Sequence, residues 1–142
     1  MILILGGTTE GRMAVKVADE AGSLYYYATR GSLQQIVCKH GIHVKGGMDL
    51  PCMIDFCRSH SIRLLVDAAH PFAMELHRTV AAASEALQLP VVRVERTYPE
   101  YTTDLIWCDD YEDAMKKLKE SGITRLLALT GVQTIGMLQD YW

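Results

Sequence analysis

The chain has 142 residues, 49% of them hydrophobic and 22% charged, with a formal net charge of -3. That composition excludes disordered and collagen-like classes, and the slight negative charge gives no general affinity for nucleic acid. No apolar run reaches the roughly 18 residues of a membrane helix, and one domain is the starting expectation at this length.

The first residues, MILILGG, lack the basic region of a signal peptide and read as structure. Ile2 to Leu5 is an apolar run that predicts a strand. Met13, Ala14, Val17, Ala18 and Ala21 then recur at helical spacing, and Gly22 ends that helix. Leu24 to Ala28 predicts a second strand, Leu33 to His40 a short helix, and Ile42 to Lys45 a third strand before Gly46-Gly47. Leu50, Met53, Ile54 and Cys57 form one helical face. Leu64 to Asp67 is a fourth strand, and Phe72, Leu76, Val80, Ala83 and Leu87 mark a long helix starting just after Pro71. Val91 to Val94 is a fifth strand.

Strands alternating with helices predict an α/β fold, a Rossmann-like doubly wound parallel sheet, complete within residues 1–96. Residues 97–103, with Pro99 and two tyrosines, read as a linker. Beyond it come a strand at Leu105 to Cys108, a helix on Tyr111, Ala114, Met115 and Leu118, a strand at Leu126 to Leu129 and a Thr130-Gly131 turn into a helix. Residues 104–142 therefore read as the incomplete start of a second α/β domain. Residues 1–97 hold ten Lys and Arg against nine Asp and Glu, a net of +1, and residues 98–142 hold four against eight, a net of -4. An anionic ligand belongs with the first region.

The first strand runs into Gly6-Gly7-Thr8-Thr9-Glu10-Gly11-Arg12 and a helix. Free N–H groups and the dipole at a helix N-terminus favour an anion. Against G-x-G-x-x-G, Gly6 and Gly11 fill the first and third places and Thr8 stands in the second. Gly7 can supply the close approach, and the hydroxyls of Thr8 and Thr9 can donate to phosphate. The plainer alternative is a tight turn with a threonine N-cap. No Gly-Lys-Ser/Thr comes after it, so this is not a Walker A loop. After the second strand, where an NAD site carries an acid, the chain reads Thr29-Arg30-Gly31-Ser32. Arg30 suits a ribose 2′-phosphate, with Thr29 and Ser32 assisting, which points to NADPH; a solvated loop cation is the alternative. Tyr25, Tyr26 and Tyr27 alternate across a strand and read as packing.

The fourth strand ends in Asp67-Ala68-Ala69-His70-Pro71-Phe72-Ala73. Ligands of open parallel sheets bind beyond the carboxyl ends of the strands, so this loop should share a cleft with the glycine loop. Alternatively, Asp67 caps the turn and His70 is a bonded loop histidine. The cysteines, Cys38, Cys52, Cys57 and Cys108, form no C-x-x-C pair and are expected as reduced thiols of a cytoplasmic protein. Cys38, His40 and His43 lie close in sequence, but there is no second ligand pair and no metal site is expected.

ILILGGTTEGR at the start, GG at 46–47, VDAAHPFA at 66–73 and VVRVER at 91–96 together resemble the precorrin-6A and cobalt-precorrin-6A reductases of vitamin B12 (cobalamin) biosynthesis. The motifs span about the first 100 residues in the right order. One departure is Ala69, where the family pattern carries Thr, which removes a hydroxyl contact. The resemblance implies an NADPH-dependent two-domain oxidoreductase that reduces one double bond of a tetrapyrrole held between its domains. It also implies a longer full chain, of which these residues alone would not turn over substrate.

On that reading His70 donates a proton or orients the substrate, and Asp67 orients the loop. The cofactor is held by Gly6, Gly7, Thr8, Thr9, Gly11, Arg12, Thr29, Arg30 and Ser32. Substrate carboxylates call for cations, with Arg96 first, then Arg93, His77 and Arg78, beside Phe72. Other NADP-dependent reductases commonly use a Tyr-x-x-x-Lys pair, which is absent here. A dinucleotide-binding module without catalysis is the alternative of a different class.

Overall fold

The computed structural model describes residues 1–31, 36–97, 105–130 and 132–141. The chain divides into two compact units, Met1–Tyr98 and Pro99–Trp142. The first unit contains strands β1 (Ile2–Leu5), β2 (Tyr25–Thr29), β3 (Gly41–Lys45), β4 (Leu64–Asp67) and β5 (Val91–Arg93). Helix α1 (Thr9–Glu20) joins β1 to β2, α2 (Leu50–Ser59) joins β3 to β4, and α3 (Met74–Leu87) joins β4 to β5. The strands pair in parallel in the order β3-β2-β1-β4-β5.

Alternation along the strands explains why both faces are covered. Leu3 and Leu5 of β1 point to one side, where they pack with Met53 and Cys57 of α2, Leu65 of β4 and Val80 and Ala83 of α3. Ile4 points to the other side and packs with Tyr25, Tyr27, and Val15 and Ala18 of α1. The sheet is therefore a doubly wound, Rossmann-like α/β layer, as the alternation of elements predicts. Its strand order reverses between β1 and β4, and that reversal opens a crevice at the carboxyl ends of the strands.

Local chemistry sets the element ends. Thr8 caps α1, its side chain accepting from the Gly11 N–H. At the other end Gly22 takes φ +63, its N–H donates to Asp19 O, and the Ser23 N–H donates to Ala18 O at 2.9 Å. That pair of bonds is a Schellman stop, which favours glycine at this place. Asp49 caps α2 by accepting from the Cys52 N–H at 2.9 Å. Tyr25 and Tyr27 are fully buried, as their reading as packing residues requires.

Several expectations for the first unit are corrected, the smallest being β3, which starts at Gly41 and not at Ile42. The helix expected at 33–40 is absent from its described part, residues 36–40. There the N–H groups of Lys39 and His40 donate to the Asp19 carboxylate at the end of α1, not back along a helix. Positions 33–35 and Ser32 lie outside the described residues. β2 begins at Tyr25 and runs to Thr29, one residue later at each end than expected, because its register is set by Ile2 facing Tyr25. β5 ends at Arg93, although the Val94 N–H still donates to Asp67 O at 2.9 Å. α3 starts at Met74 and not directly after Pro71, because His70 to Ala73 close a turn through Ala73 N–H to His70 O at 2.8 Å.

In the second unit the expected helix is present as α4 (Tyr111–Glu120), capped by Asp110 accepting from the Asp113 N–H at 2.8 Å. A 3-10 segment, Val132–Tyr141, broken at Leu138, stands where the last helix is expected and lies against α4. Residues 105–108 and 126–129 belong to no strand among the described residues. A strand exists by pairing, and the apolar residues here, including Ile106, Trp107, Leu127 and Leu129, remain exposed.

Candidate active site

The crevice is bordered by the loops that leave β1, β2, β4 and β5. Turning from β1 into α1, the chain passes the glycines over the ring of Tyr27. A Cβ on Gly6 would lie 2.3 Å from Tyr27 Cε2, and one on Gly11 would lie 2.9 Å from Gly6 Cα and 3.0 Å from the Tyr27 hydroxyl. Helix and strand therefore approach this closely only because both positions lack side chains. Gly7 takes φ +106, with open space where a side chain would stand. Its N–H donates to the Tyr27 hydroxyl at 3.0 Å.

Thr8 serves as the cap that the plainer reading of the loop describes. Its hydroxyl accepts from the Gly11 N–H at 3.0 Å and donates to Ala68 O at 2.7 Å. That hydroxyl is committed within the protein, and it ties the glycine loop to the β4 loop. Thr9 Oγ1 accepts from Arg12 Nη2 at 3.1 Å. The backbone N–H groups of Thr8 and Thr9 have no hydrogen-bond partner among the described residues. They stand at the positive end of α1 and fit an anion.

Sequence reasoning passed over Glu10. Its side chain is buried in the loop and grips Arg96 through two bonds, Nε to Oε1 at 2.9 Å and Nη2 to Oε2 at 3.1 Å. The Arg96 guanidinium, followed by the Glu10 backbone N–H, holds this carboxyl down at about 2. A weak signal was present, since an acid in the first turn of a helix suits the dipole. Its partner lies 86 residues away and could not be read from spacing. Arg96 is thus bound to the glycine loop and is not a free cation at the end of the first unit.

At the end of β4, Asp67 is buried and gathers three polar partners. Its Oδ1 accepts from the Ala69 N–H at 3.3 Å, and its Oδ2 faces His77 Nδ1 at 2.7 Å and accepts from Arg93 Nη1 at 2.8 Å. Arg93 Nη1 also meets His77 Nδ1 directly, and Arg93 Nε donates to Glu95 Oε1 at 2.5 Å. His77 Nε2 donates to His70 O at 3.0 Å. Arg93, through Nη1 and Nε, and both ring nitrogens of His77, residues expected at the substrate, are engaged by Asp67, Glu95, the His70 carbonyl and each other. The His70 ring is exposed, with Nδ1 accepting from the Phe72 N–H at 3.2 Å. Phe72 stands 86% exposed, its ring 5.2 Å from that of His70. Arg78 is exposed on α3.

After β2, Thr29 is buried and its hydroxyl donates to Gly31 O at 2.9 Å and contacts His43 Nε2 at 2.8 Å. Arg30 is exposed and makes no ion pair among the described residues. Cys38, His40 and His43 do not converge: burial pushes the Cys38 thiol up, and His43 is turned to Thr29. Among the described residues no group of three or more His, Cys, Asp and Glu side chains is placed to hold a metal.

A parallel, doubly wound sheet with a glycine loop opening a helix at the strand-order reversal defines a Rossmann-like α/β protein. Residues 1–142 match the family described as precorrin-6x reductase CbiJ/CobK, and the chain belongs to that family. It is 29% identical to a cobalt-precorrin-6A reductase of Priestia megaterium over 99% of this chain and 56% of that protein. It is 30% identical to a precorrin-6A reductase of Rhodococcus erythropolis over 99% of this chain and 59% of that one. The chain thus spans little more than half the length of these curated relatives. Among solved structures, CobK precorrin-6A reductase matches with a TM-score of 0.64 at 24% identity, over 72% of this chain and 41% of that one. A leucoanthocyanidin reductase solved with NADPH, from Vitis vinifera, matches with a TM-score of 0.53 at 15% identity, over 63% and 34%. Both likenesses concern the fold.

Proposed function

We propose that this chain is the cofactor-binding portion of an NADPH-dependent reductase that converts precorrin-6A, or its cobalt form, to the 6B form in vitamin B12 biosynthesis. The observation that carries the reading is the family match over residues 1–142, to relatives named for that activity. The glycine loop fits the cofactor, since open space lies over Gly7 and the Thr8 and Thr9 N–H groups stand at a helix N-terminus. In this reading those N–H groups receive the pyrophosphate, with Gly6 and Gly11 shaping the loop and Arg12 beside it. Arg30 meets the 2′-phosphate, to which the sequence also assigns Ser32, outside the described residues, while Thr29 holds the turn through Gly31 and His43. NADPH, when bound, supplies a hydride to the macrocycle.

His70 holds or delivers a proton at its imidazole, and Asp67 fixes the loop that presents it. Phe72 offers the macrocycle an apolar surface. Arg93 and His77 act by holding Asp67 and the His70 carbonyl, and substrate carboxylates are met by other cations, Arg78 among them. The substrate lies between this Rossmann-like unit and a second α/β unit. The reaction belongs in the cytoplasm, with no role for nucleic acid or a membrane; no described helix is long and apolar enough to cross one.

Titrating the full-length protein with NADPH, NADH and a tetrapyrrole tests the reading. NADPH is expected to bind at least about tenfold more tightly than NADH, with Arg30→Ala erasing the difference by weakening NADPH alone. Equal affinities in the wild type would remove the 2′-phosphate assignment. NADPH binding without tetrapyrrole binding would point to a dinucleotide-binding module instead.

A further inference from the structure

Glu10 is the only acid between Gly6 and Arg12, and it lies in the first turn of α1 with 9% of its surface exposed. A carboxylate there is attracted to the same helix end that would attract a phosphate. Arg96 takes both of its oxygens, at 2.9 and 3.1 Å. This arginine enters from the far side of the sheet order, on the segment that leaves edge strand β5, whereas the glycine loop leaves central strand β1.

We propose that Arg96 is a positioning residue for the glycine loop: by clasping Glu10 it neutralises the loop's own carboxylate and leaves the helix N-terminus to an anionic cofactor. The proposal rests on the reading that this loop holds the phosphates of a dinucleotide. Without the guanidinium, a nearly buried carboxylate would lose its cation in the same first turn that carries the Thr8 and Thr9 N–H groups. It would repel an incoming phosphate and would be drawn to those N–H groups itself. With the clasp in place, the loop carries no net charge from this pair. The cofactor site is also made to depend on the segment after β5, which carries Arg96 to Glu10. The depressed Glu10 carboxyl, whose first cause is Arg96, agrees with this geometry.

A charge series in the full-length protein tests the proposal, read as the NADPH dissociation constant from nucleotide fluorescence, with thermal unfolding as the control. Arg96→Ala should weaken NADPH at least about tenfold. Arg96→Lys, which keeps the charge but not the fork, should recover most of that loss. Glu10→Gln should bind NADPH more tightly than the wild type, because the loop then keeps the Arg96 guanidinium beside it and loses its own carboxylate charge. The Glu10→Gln/Arg96→Ala double variant should return to within about threefold of the wild type, since neither charge remains. A clasp that merely holds the fold together predicts a different pattern, with both single variants and the double weakened in step with their melting temperatures. That pattern, or an unchanged constant in Arg96→Ala, overturns the proposal. If Arg96→Ala does not fold, the order Glu10→Gln tighter than wild type, with the double variant near wild type, decides it. A wild-type protein that binds no NADPH overturns the underlying reading, and this proposal with it; wild-type binding with no charge ordering overturns this proposal alone.

Discussion

In the glycine loop the side chains turn inward: Thr8 to Ala68 O and the Gly11 N–H, Glu10 to Arg96, and the Tyr27 hydroxyl up to Gly7 from below. Among the described residues, the backbone N–H groups of Thr8 and Thr9 have no partner. In the loop after β4 the division is reversed. Its backbone base is tied down by Asp67, His77 and Arg93, while the side chains at its tip, His70 and Phe72, stand exposed. One loop leaves backbone N–H groups outward and the other leaves side chains outward. A rigid backbone cradle suits a phosphate group, whose recognition needs only N–H donors and charge. An exposed imidazole and aromatic ring on a fixed base suit contact with a larger, variable partner.

The contrast can be broken most strongly at the base of the β4 loop. Asp67→Ala leaves Arg93 and the Ala69 N–H without their acceptor and His77 Nδ1 without its carboxylate partner, and should destabilise the first unit by about 3 kcal/mol in urea unfolding. A loss below about 1 kcal/mol would show that the loop base is not held by this carboxylate. Next in size is the glycine loop. Gly6→Ala drives a methyl into the ring of the fully buried Tyr27 and should cost about 2 kcal/mol by the same measurement.

A smaller effect is confined to acid. The Glu10 carboxyl is held at about 2 in the folded protein against an ordinary value of 4.5, because Arg96 binds its charged form. A lowered folded value contributes stability above the unfolded value, and that contribution fades as pH falls from about 4.5 through 2. Glu10→Gln should therefore flatten this part of the acid limb, seen as a shallower loss of unfolding free energy over the same interval. An identical acid limb in both proteins would mean that the ion pair does not form in solution. The smallest stability change belongs to His70→Ala at the exposed tip, within about 0.5 kcal/mol. Its effect should fall on turnover, and full kcat at saturating tetrapyrrole across roughly pH 6–8 would remove the proton-donor role.

Much of the crevice was legible before folding because its parts are local. The glycines between β1 and α1, the absence of an acid after β2 and the Asp-His-Pro run after β4 are each read within one short segment. Strand and helix periods are local too, so all five strands of the first unit and helices α1 to α3 emerge from the pattern. Errors occur where a distant group intervenes. Residues 36–40 are not helical because the Asp19 carboxylate takes the N–H groups of Lys39 and His40. Similarly, α3 starts late because the His70 carbonyl closes a turn and also receives His77. The runs at 105–108 and 126–129 have strand-like composition, but pairing is a tertiary event and none is present there among the described residues.

By itself the sequence determined the layered α/β plan, the place of the glycine loop and the family resemblance, because all three rest on short-range patterns of residue type. Only the tertiary structure decided what each polar side chain is bound to. It turned Arg96 from a free cation into the partner of Glu10. It drew Arg93 and His77 onto Asp67, and it showed that Gly6 and Gly11 make room for Tyr27. These are contacts between residues up to 86 positions apart. They depend on β1 lying between β2 and β4, an order set by burial of both sheet faces and not by any single stretch of the chain.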